Sequence, residues 1–159
     1  MQKFTRRLIA FIAFLCAGAH ISALEPLVFV SQDAPKEIRR LSERDYADGV
    51  AIQLTGSINT YILSRVKKAI SMHKELSVQL DLSLVTGLTE LENEVLDDCP
   101  NLTALTLPDS LQKVQPKAFS GCSALTALTV TEANDSFMSD AGALYTKNGE
   151  TLVLCAPGA

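Results

Sequence analysis

The sequence predicts an α+β protein built as a short solenoid: coils rich in leucine share a parallel sheet, between an N-terminal strand–helix cap and a C-terminal β-hairpin. Two observations support this prediction. The segments LTALTL (residues 102–107) and LTALTV (residues 125–130) lie 23 residues apart, and Cys99 and Cys122 repeat at the same offset. A period of about 20–29 residues is typical of solenoids, in which stacked coils bury one continuous core.

Residues 1–23 are predicted to be a secretory signal peptide. Basic residues come first, and the apolar stretch over residues 8–19 has 12 residues, fewer than the roughly 20 that a membrane-spanning helix needs. We expect cleavage after Ala23, with Ala19 as the alternative position and an uncleaved N-terminal anchor as the alternative fate. The protein is therefore predicted to be exported, to the cell surface, the periplasm or the medium, with no membrane span in its mature chain.

Residues 24–77 are predicted to form an N-terminal arm and cap. The expected elements are an extended arm over residues 24–30, a short helix over 35–44, a strand over 50–54 that ends at Gly56, a helix over 58–76 and a strand over 78–83. Ser57 is the expected N-cap of the longer helix. A strand–helix–strand order implies a parallel crossover, and we expect this unit to cover the apolar edge of the first coil.

The repeat coils are predicted to span residues 78–141. The three copies of the repeat are expected to begin at Gln79, Leu102 and Leu125. Leu82, Leu105 and Leu128 are then expected to lie side by side on successive strands, with their side chains in the interior. The predicted repeat core consists of Leu82, Leu84, Leu105, Leu107, Leu111, Val114, Phe119, Cys122, Leu125, Leu128 and Val130.

The opposite side of each predicted strand is the candidate partner-binding face. Its positions are Asp81, Ser83, Ala104, Thr106, Ala127 and Thr129. These side chains are small or hydroxylated, so the face is expected to be shallow and to lack the Trp, Tyr and Arg anchors of strong interfaces. The competing interpretation is that threonine occurs here for its strand propensity alone.

Residues 142–159 are predicted to form a C-terminal hairpin. Strands over residues 144–147 and 151–154 flank Asn148 and Gly149, a pair that suits the positive φ angles of a type I′ turn. The hairpin either caps the last coil or leaves an exposed edge, and such an edge would allow the chain to associate with another copy of itself.

No catalytic residue, metal site or cofactor is predicted. His73 is the single histidine after the signal peptide, and we expect a solvated helix position rather than a catalytic base. An acidic cluster comprises Glu90, Glu92, Glu94, Asp97 and Asp98. We favour a solvated acidic face as the interpretation of this cluster. Weak calcium binding is the alternative, and the spacing of the carboxylates does not match an EF-hand loop. The formal net charge of -4 argues against nucleic acid as a partner.

The cysteines leave one alternative open. Cys99 and Cys122 occupy equivalent positions in adjacent predicted coils, where their Cα atoms would be about 5 Å apart, a separation that permits a disulfide. Two buried thiols that pack as small apolar groups are the favoured interpretation. Cys155 would remain unpaired in either case.

The repeat resembles the BspA-like leucine-rich repeats of bacterial surface proteins, with spirochaete and oral bacterial members. The matching positions of the pattern LxxLxLPxxLxxIxxxAFxxCxx are Leu102, Leu105, Leu107, Pro108, Leu111, Val114, Ala118, Phe119 and Cys122. The resemblance implies a surface-exposed, non-catalytic adhesin-like protein that binds host or bacterial proteins. The alternative is a structural component of the periplasm or envelope that self-associates through the open C-terminal end of the solenoid.

Overall fold

We describe the protein from a computed structural model, which describes residues 26–42, 46 and 48–158. The predicted signal peptide, and the last part of the short helix predicted over residues 35–44, lie outside these residues. No helix in the described part of the chain is long and apolar enough to cross a membrane.

The described residues form ten β-strands and two α-helices. In chain order these are β1 (Leu27–Val30), α1 (Ala34–Ile38), β2 (Val50–Ser57), α2 (Thr60–Ile70), β3 (Val78–Thr86), β4 (Glu90–Leu91), β5 (Leu102–Leu107), β6 (Lys113–Val114), β7 (Ala127–Val130), β8 (Phe137–Asp140), β9 (Ala143–Thr146) and β10 (Leu152–Cys155). The order of strands and helices is that of an α+β fold, in which helices are confined to the N-terminal half.

A five-stranded parallel sheet organises the described residues, in the order β1–β2–β3–β5–β7. β2, α2 and β3 form the predicted strand–helix–strand crossover. The later strands are joined by irregular segments that contain β4 and β6, and these two short strands pair in parallel. Apolar side chains from the inner side of the sheet, from α2 and from the connecting segments pack into one core within this part of the chain.

The predicted register is correct between β5 and β7 but wrong between β3 and β5. Leu105 lies beside Leu128, as a 23-residue offset requires. Leu80, rather than Leu82, lies beside Leu105. The register shifts after Val78, where Thr103 is an additional residue of β5 and its hydroxyl donates a 3.0 Å hydrogen bond to the carbonyl of Val78. The first coil is therefore two residues longer than the strict period.

β3 contains a bulge that reverses the parity of its last residues. Gln53 pairs with Asp81 but Thr55 pairs with Leu84, so β3 has one residue more than β2 between these positions. An additional residue turns the following side chains to the other face of a sheet. Leu84, which the sequence assigned to the repeat core, is consequently 55% exposed, whereas Leu82 is buried.

The N-terminal elements differ from prediction in their boundaries. β2 continues through Gly56 to Ser57 because β3 extends far enough to pair with both residues. α2 begins only at Thr60, since Asn59, and not Ser57, is the N-cap and accepts a 3.0 Å hydrogen bond from the backbone of Ile62. The predicted arm is in fact β1, the edge strand of the sheet, which pairs in parallel with β2.

The C-terminal strands form a three-stranded antiparallel sheet in the order β10–β9–β8. The predicted hairpin exists as β9 and β10, but the type I′ turn lies elsewhere: Ala141 and Gly142, between β8 and β9, have φ values of 46° and 78°. At the predicted position Gly149 has a φ of 73°, whereas Asn148 does not have a positive φ. Here the Asn148 side chain instead accepts a hydrogen bond from the backbone of Glu150 (3.2 Å).

Candidate binding face on the outer side of the sheet

The outer side of the parallel sheet carries two rows of side chains in register. Asp81, Thr106 and Thr129 occupy one row, together with Gln53 of β2. Ala104 and Ala127 occupy the next row, together with Ala51 and Gln79 of the preceding strands. The structure thus places five of the six predicted face residues in two adjacent rows.

Ser83 is the predicted face residue that does not join these rows. It lies within the bulge of β3 and is half-buried. Its backbone N–H donates a 2.8 Å hydrogen bond to Asp81 Oδ1. Ser83 therefore orients the Asp81 carboxylate instead of presenting a side chain in the same row.

Hydrogen bonds order the polar row. Gln53 Nε2 donates to Asp81 Oδ2 at 2.8 Å, so both carboxylate oxygens of Asp81 accept hydrogen bonds. Thr129 donates from its hydroxyl to the hydroxyl oxygen of Thr106 at 3.1 Å. Cross-strand pairs of this kind stabilise the sheet and hold the polar groups in fixed positions toward solvent.

Exposed apolar side chains on the same face were not anticipated from the sequence. Val28 is 44% and Val30 57% exposed, and Val30, Thr55 and Leu84 lie in one row across β1, β2 and β3. Strand parity within LVFV (residues 27–30) was the available signal, since alternate residues of a strand point to opposite faces. Leu84 could not have been assigned in this way, because the bulge that exposes it depends on pairing with β2.

A shallow hollow of about 190 Å³ lies on this face. Its lining includes Pro26, Ala51, Gln79, Asp81, Ala104 and Thr106. The alanines leave room between the longer side chains of the neighbouring positions. The hollow is smaller than the roughly 300–1,000 Å³ of small-molecule pockets.

His73 contributes to packing between the helices. It lies after the end of α2, and not within the helix as predicted, and its Nε2 is 2.9 Å from the carbonyl oxygen of Ile38 at the end of α1. Its backbone carbonyl accepts a hydrogen bond from Asn101. These contacts connect the ends of the two helices to the first coil.

The acidic cluster is divided among several structural contacts. Glu90 lies 2.9 Å from Lys113 Nζ and accepts a 2.9 Å hydrogen bond from Gln115, and the hydrogen bond from Gln115 followed by Lys113 lowers its pKa. Asp97 forms an ion pair with Lys67 of α2. Among residues 26–42, 46 and 48–158, no three His, Cys, Asp or Glu side chains lie close enough to hold a metal ion.

Cys99 and Cys122 are buried free thiols, and Cys155 is an exposed free thiol. The Cys122 thiol donates a 2.9 Å hydrogen bond to the carbonyl of Leu96. The contact with the Cys122 side chain, together with burial, raises the pKa of Cys99. The buried cysteines are therefore in the arrangement that the sequence favoured over a disulfide.

The neighbouring strands β3, β5 and β7 repeat along the chain. After Val78, paired residues are 25 positions apart between β3 and β5, and they are 23 positions apart between β5 and β7. This repetition within one parallel sheet defines the chain as an α+β repeat protein. Residues 73–148 match the family model for the BspA type leucine rich repeat region (6 copies). The match covers just under half of the chain, and over this region the chain is similar to the BspA-like leucine-rich-repeat family. Comparison with curated proteins and with solved structures gave no significant match.

Similarity to this family supports a general class of function. Leucine-rich-repeat regions of this type are protein-interaction modules that are typically non-catalytic, and the proteins that carry them are often exported or located at the surface. On the outer side of the parallel sheet, ordered polar groups and exposed apolar side chains occur together.

Proposed function

We propose that this protein is an exported, non-catalytic recognition module that binds a protein partner through the outer face of its parallel sheet, as an adhesin-like protein of the cell surface. The observation that carries the proposal is the exposure of Val30 and Leu84 beside the hydrogen-bonded row of Gln53 and Asp81. An apolar group beside fixed polar groups is the composition of a protein interface, in which burial contributes affinity and polar pairs contribute specificity.

Charge indicates the chemistry of the partner. Residues 79–159 contain 11 Asp and Glu but only 3 Lys and Arg. A surface potential of this sign attracts basic partners and repels nucleic acid. We therefore expect the partner to be a host or bacterial protein that presents a basic surface with an apolar centre.

Self-association through the C-terminal edge is less well supported than binding through the sheet. Gly158 donates a 2.8 Å backbone hydrogen bond to Leu125, and Val130 donates one of 3.1 Å to the hydroxyl of Ser139. The last coil therefore already makes contacts with the C-terminal segment. We interpret β8–β10 as the cover of this end.

A photo-crosslinking amino acid placed at Leu84 tests the face directly. Crosslinking is carried out on intact cells and the products are identified by mass spectrometry. The same amino acid at Ser120, an exposed position of the connecting segment after β6, is the matched control. We expect a discrete protein adduct from position 84 but not from position 120. Equal adducts from both positions, or adducts of this chain with itself, would contradict the proposal.

Charge substitutions on the face provide the second test. The triple substitution of Asp81, Thr106 and Thr129 by Lys reverses the charge of the polar row, and it is expected to abolish the adduct at position 84. The fold is monitored by circular dichroism. Protease treatment of intact cells tests location: a surface protein is digested, whereas a periplasmic protein is protected.

A further inference from the structure

The solvent-facing side of α2 combines basic and large apolar side chains. α2 buries Leu63, Val66, Ala69 and Ile70. On the opposite side, a stripe with helical spacing runs through Tyr61, Arg65, Lys68 and Met72 just beyond the helix end. Tyr61 is 67% and Met72 60% exposed, the two highest values among the exposed large apolar side chains of the described residues.

The positive charge of this stripe belongs to Arg65 and Lys68, which are both exposed. Arg65 and Lys68 form no ion pair within residues 26–42, 46 and 48–158, and the Arg65 guanidinium lies 5.9 Å from the centre of the Tyr61 ring. Lys67, on the flank of the same helix, is by contrast paired with Asp97. From residue 49 to residue 74 the sequence contains no acidic residue.

α1 adds to the same basic region. The contact between His73 and the carbonyl of Ile38 brings the end of α1 next to the turn that carries Met72. Arg39 and Arg40 follow Ile38 directly and are exposed. Arg40 is 3.5 Å from Glu37, an exposed pair whose charges are screened by water.

We infer that this surface, the basic helix face (Tyr61, Arg65, Lys68 and Met72), docks on a bilayer that contains anionic phospholipid. Charge complementarity selects the anionic headgroup, since each Lys or Arg near such a surface adds to the attraction. The exposed side chains of Tyr61 and Met72 favour a bilayer over a soluble polyanion as the ligand. An interfacial helix inserts aromatic and apolar side chains among the headgroups and acyl chains, and a soluble polyanion offers no such apolar region.

The geometry leaves the proposed recognition face accessible in the docked protein. α2 packs with its buried side against the inner side of the sheet, in contact with the core that includes Ile52 and Leu80. The outer side of the sheet, with Asp81 and Thr106, is on the opposite side of the sheet from α2. Docking through α2 and binding through the sheet can therefore occur together, and each can be tested without the other.

Vesicle sedimentation tests the inference. The protein is used in the form that the cell accumulates, so that every variant has the same N-terminus and any contribution of residues 1–25 is common to all. Vesicles of phosphatidylcholine with phosphatidylglycerol are compared with vesicles of phosphatidylcholine alone. We expect binding to the anionic vesicles, and we expect the double variant Arg65→Glu and Lys68→Glu to reduce the partition coefficient by at least about tenfold.

Matched controls separate the basic helix face from net charge. Lys117→Glu with Lys147→Glu changes net charge by the same amount at exposed positions of the repeat region, and it should change the partition coefficient by less than about twofold if the effect is local. Tyr61→Ser with Met72→Ser should weaken vesicle binding but not binding to heparin, a soluble polyanion. Circular dichroism verifies that each variant is folded.

Three results would overturn the inference. Equal binding to neutral and anionic vesicles would remove the role of charge. Tight heparin binding with vesicle binding that is indifferent to Tyr61 and Met72 would assign the face to an anionic polymer. A concentration-dependent dimer that is lost in the Arg65→Glu and Lys68→Glu variant would assign it to a second copy of the chain.

Discussion

The side-chain amide of Asn101 donates a 2.8 Å hydrogen bond to the carbonyl oxygen of His73. The same nitrogen lies 3.2 Å from the carbonyl of Ile70 and 3.0 Å from that of Leu76, so one side chain holds the segment that leads from α2 into β3. The side-chain amide of Asn134 likewise contacts three main-chain carbonyls in the segment between β5 and β6. These belong to Pro108, Asp109 and Leu111. Buried asparagines thus give the main-chain carbonyls of these segments side-chain donors, in addition to the backbone donors that Ile70, His73 and Pro108 already have.

Substitution of Asn101 by alanine is expected to reduce the free energy of unfolding by about 2–3 kcal/mol, because several buried carbonyls lose a donor. Urea denaturation followed by circular dichroism measures this change. Asn93 is the matched control: it is exposed, and its side-chain oxygen accepts a 3.2 Å hydrogen bond from the backbone N–H of Lys117. Asn93→Ala should cost less than about 1 kcal/mol. Similar losses for both variants would show that burial of Asn101 has no special role.

Leu82 and Leu84 should respond in opposite ways to the same substitution. Leu82→Ala is expected to lower the free energy of unfolding by about 3 kcal/mol, since it creates a cavity in the core. Leu84→Ala should change it by less than about 0.5 kcal/mol, because the side chain is already exposed, but it should weaken partner binding. Denaturation and crosslinking yield measure the two effects. A large loss of stability in Leu84→Ala would contradict the bulge in β3.

Ala141 is an alanine in the left-handed region, with a φ of 46°. Replacement by Gly is expected to stabilise the protein by about 0.5–1 kcal/mol, because a Cβ is unfavourable at this φ and Gly removes it. Ala143→Gly, in the neighbouring strand, is the control and should be destabilising. Thermal unfolding measures both variants. Destabilisation by Ala141→Gly would mean that the turn is not of type I′.

Alkylation should distinguish the three cysteines of the described residues. Cys155 is exposed and is expected to react with a maleimide in the native protein, whereas Cys99 and Cys122 should react only after denaturation. Mass spectrometry of peptides, with and without urea, gives the sites of modification. A Cys99–Cys122 peptide with a mass two hydrogens lower, resistant to alkylation in urea, would establish a disulfide instead.

Glu90 is expected to contribute a small pH-dependent stabilisation. Its pKa is lowered in the folded protein, mainly by the hydrogen bond from Gln115 and then by Lys113. The stabilisation is therefore present above the pKa of the unfolded chain and is lost as the pH falls through the folded pKa. Glu90→Gln should narrow the difference in stability between neutral and acidic pH. Denaturation at both pH values measures it, and Glu92→Gln, whose carboxylate is exposed, is the control.

The repeat was accessible from the sequence because it depends on local pattern. Residues 102–107 and 125–130 have the same apolar spacing, and Leu105 and Leu128 duly pair. The neighbour of Leu82 could not be predicted, since the alternation of apolar and polar residues in VQLDLSL (residues 78–84) is compatible with several registers that differ by two residues. The outcome depends on Thr103, which is inserted opposite Val78 only when β3 and β5 are paired.

The candidate binding face was only partly predictable. Asp81, Thr106 and Thr129 follow from strand parity once the strands are recognised. Val28 and Val30 were missed because a short apolar segment near the start of the chain was interpreted as an arm, and only pairing with β2 makes it a strand of the sheet. Leu84 was assigned to the wrong side because a bulge leaves no distinct trace in the order of apolar and polar residues.

The sequence by itself determined the 23-residue repeat of β5 and β7, the parallel sheet and the similarity to the repeat family. Apolar spacing specifies which residues must leave water, and repetition specifies that they do so together. The tertiary structure alone decided which side of β3 faces solvent after residue 82, which strand forms the edge, and which asparagine closes each irregular segment. These depend on pairing between residues far apart in the chain. Such pairing minimises the number of unsatisfied backbone N–H and C=O groups across the whole sheet. Local strand propensity does not specify which residues pair.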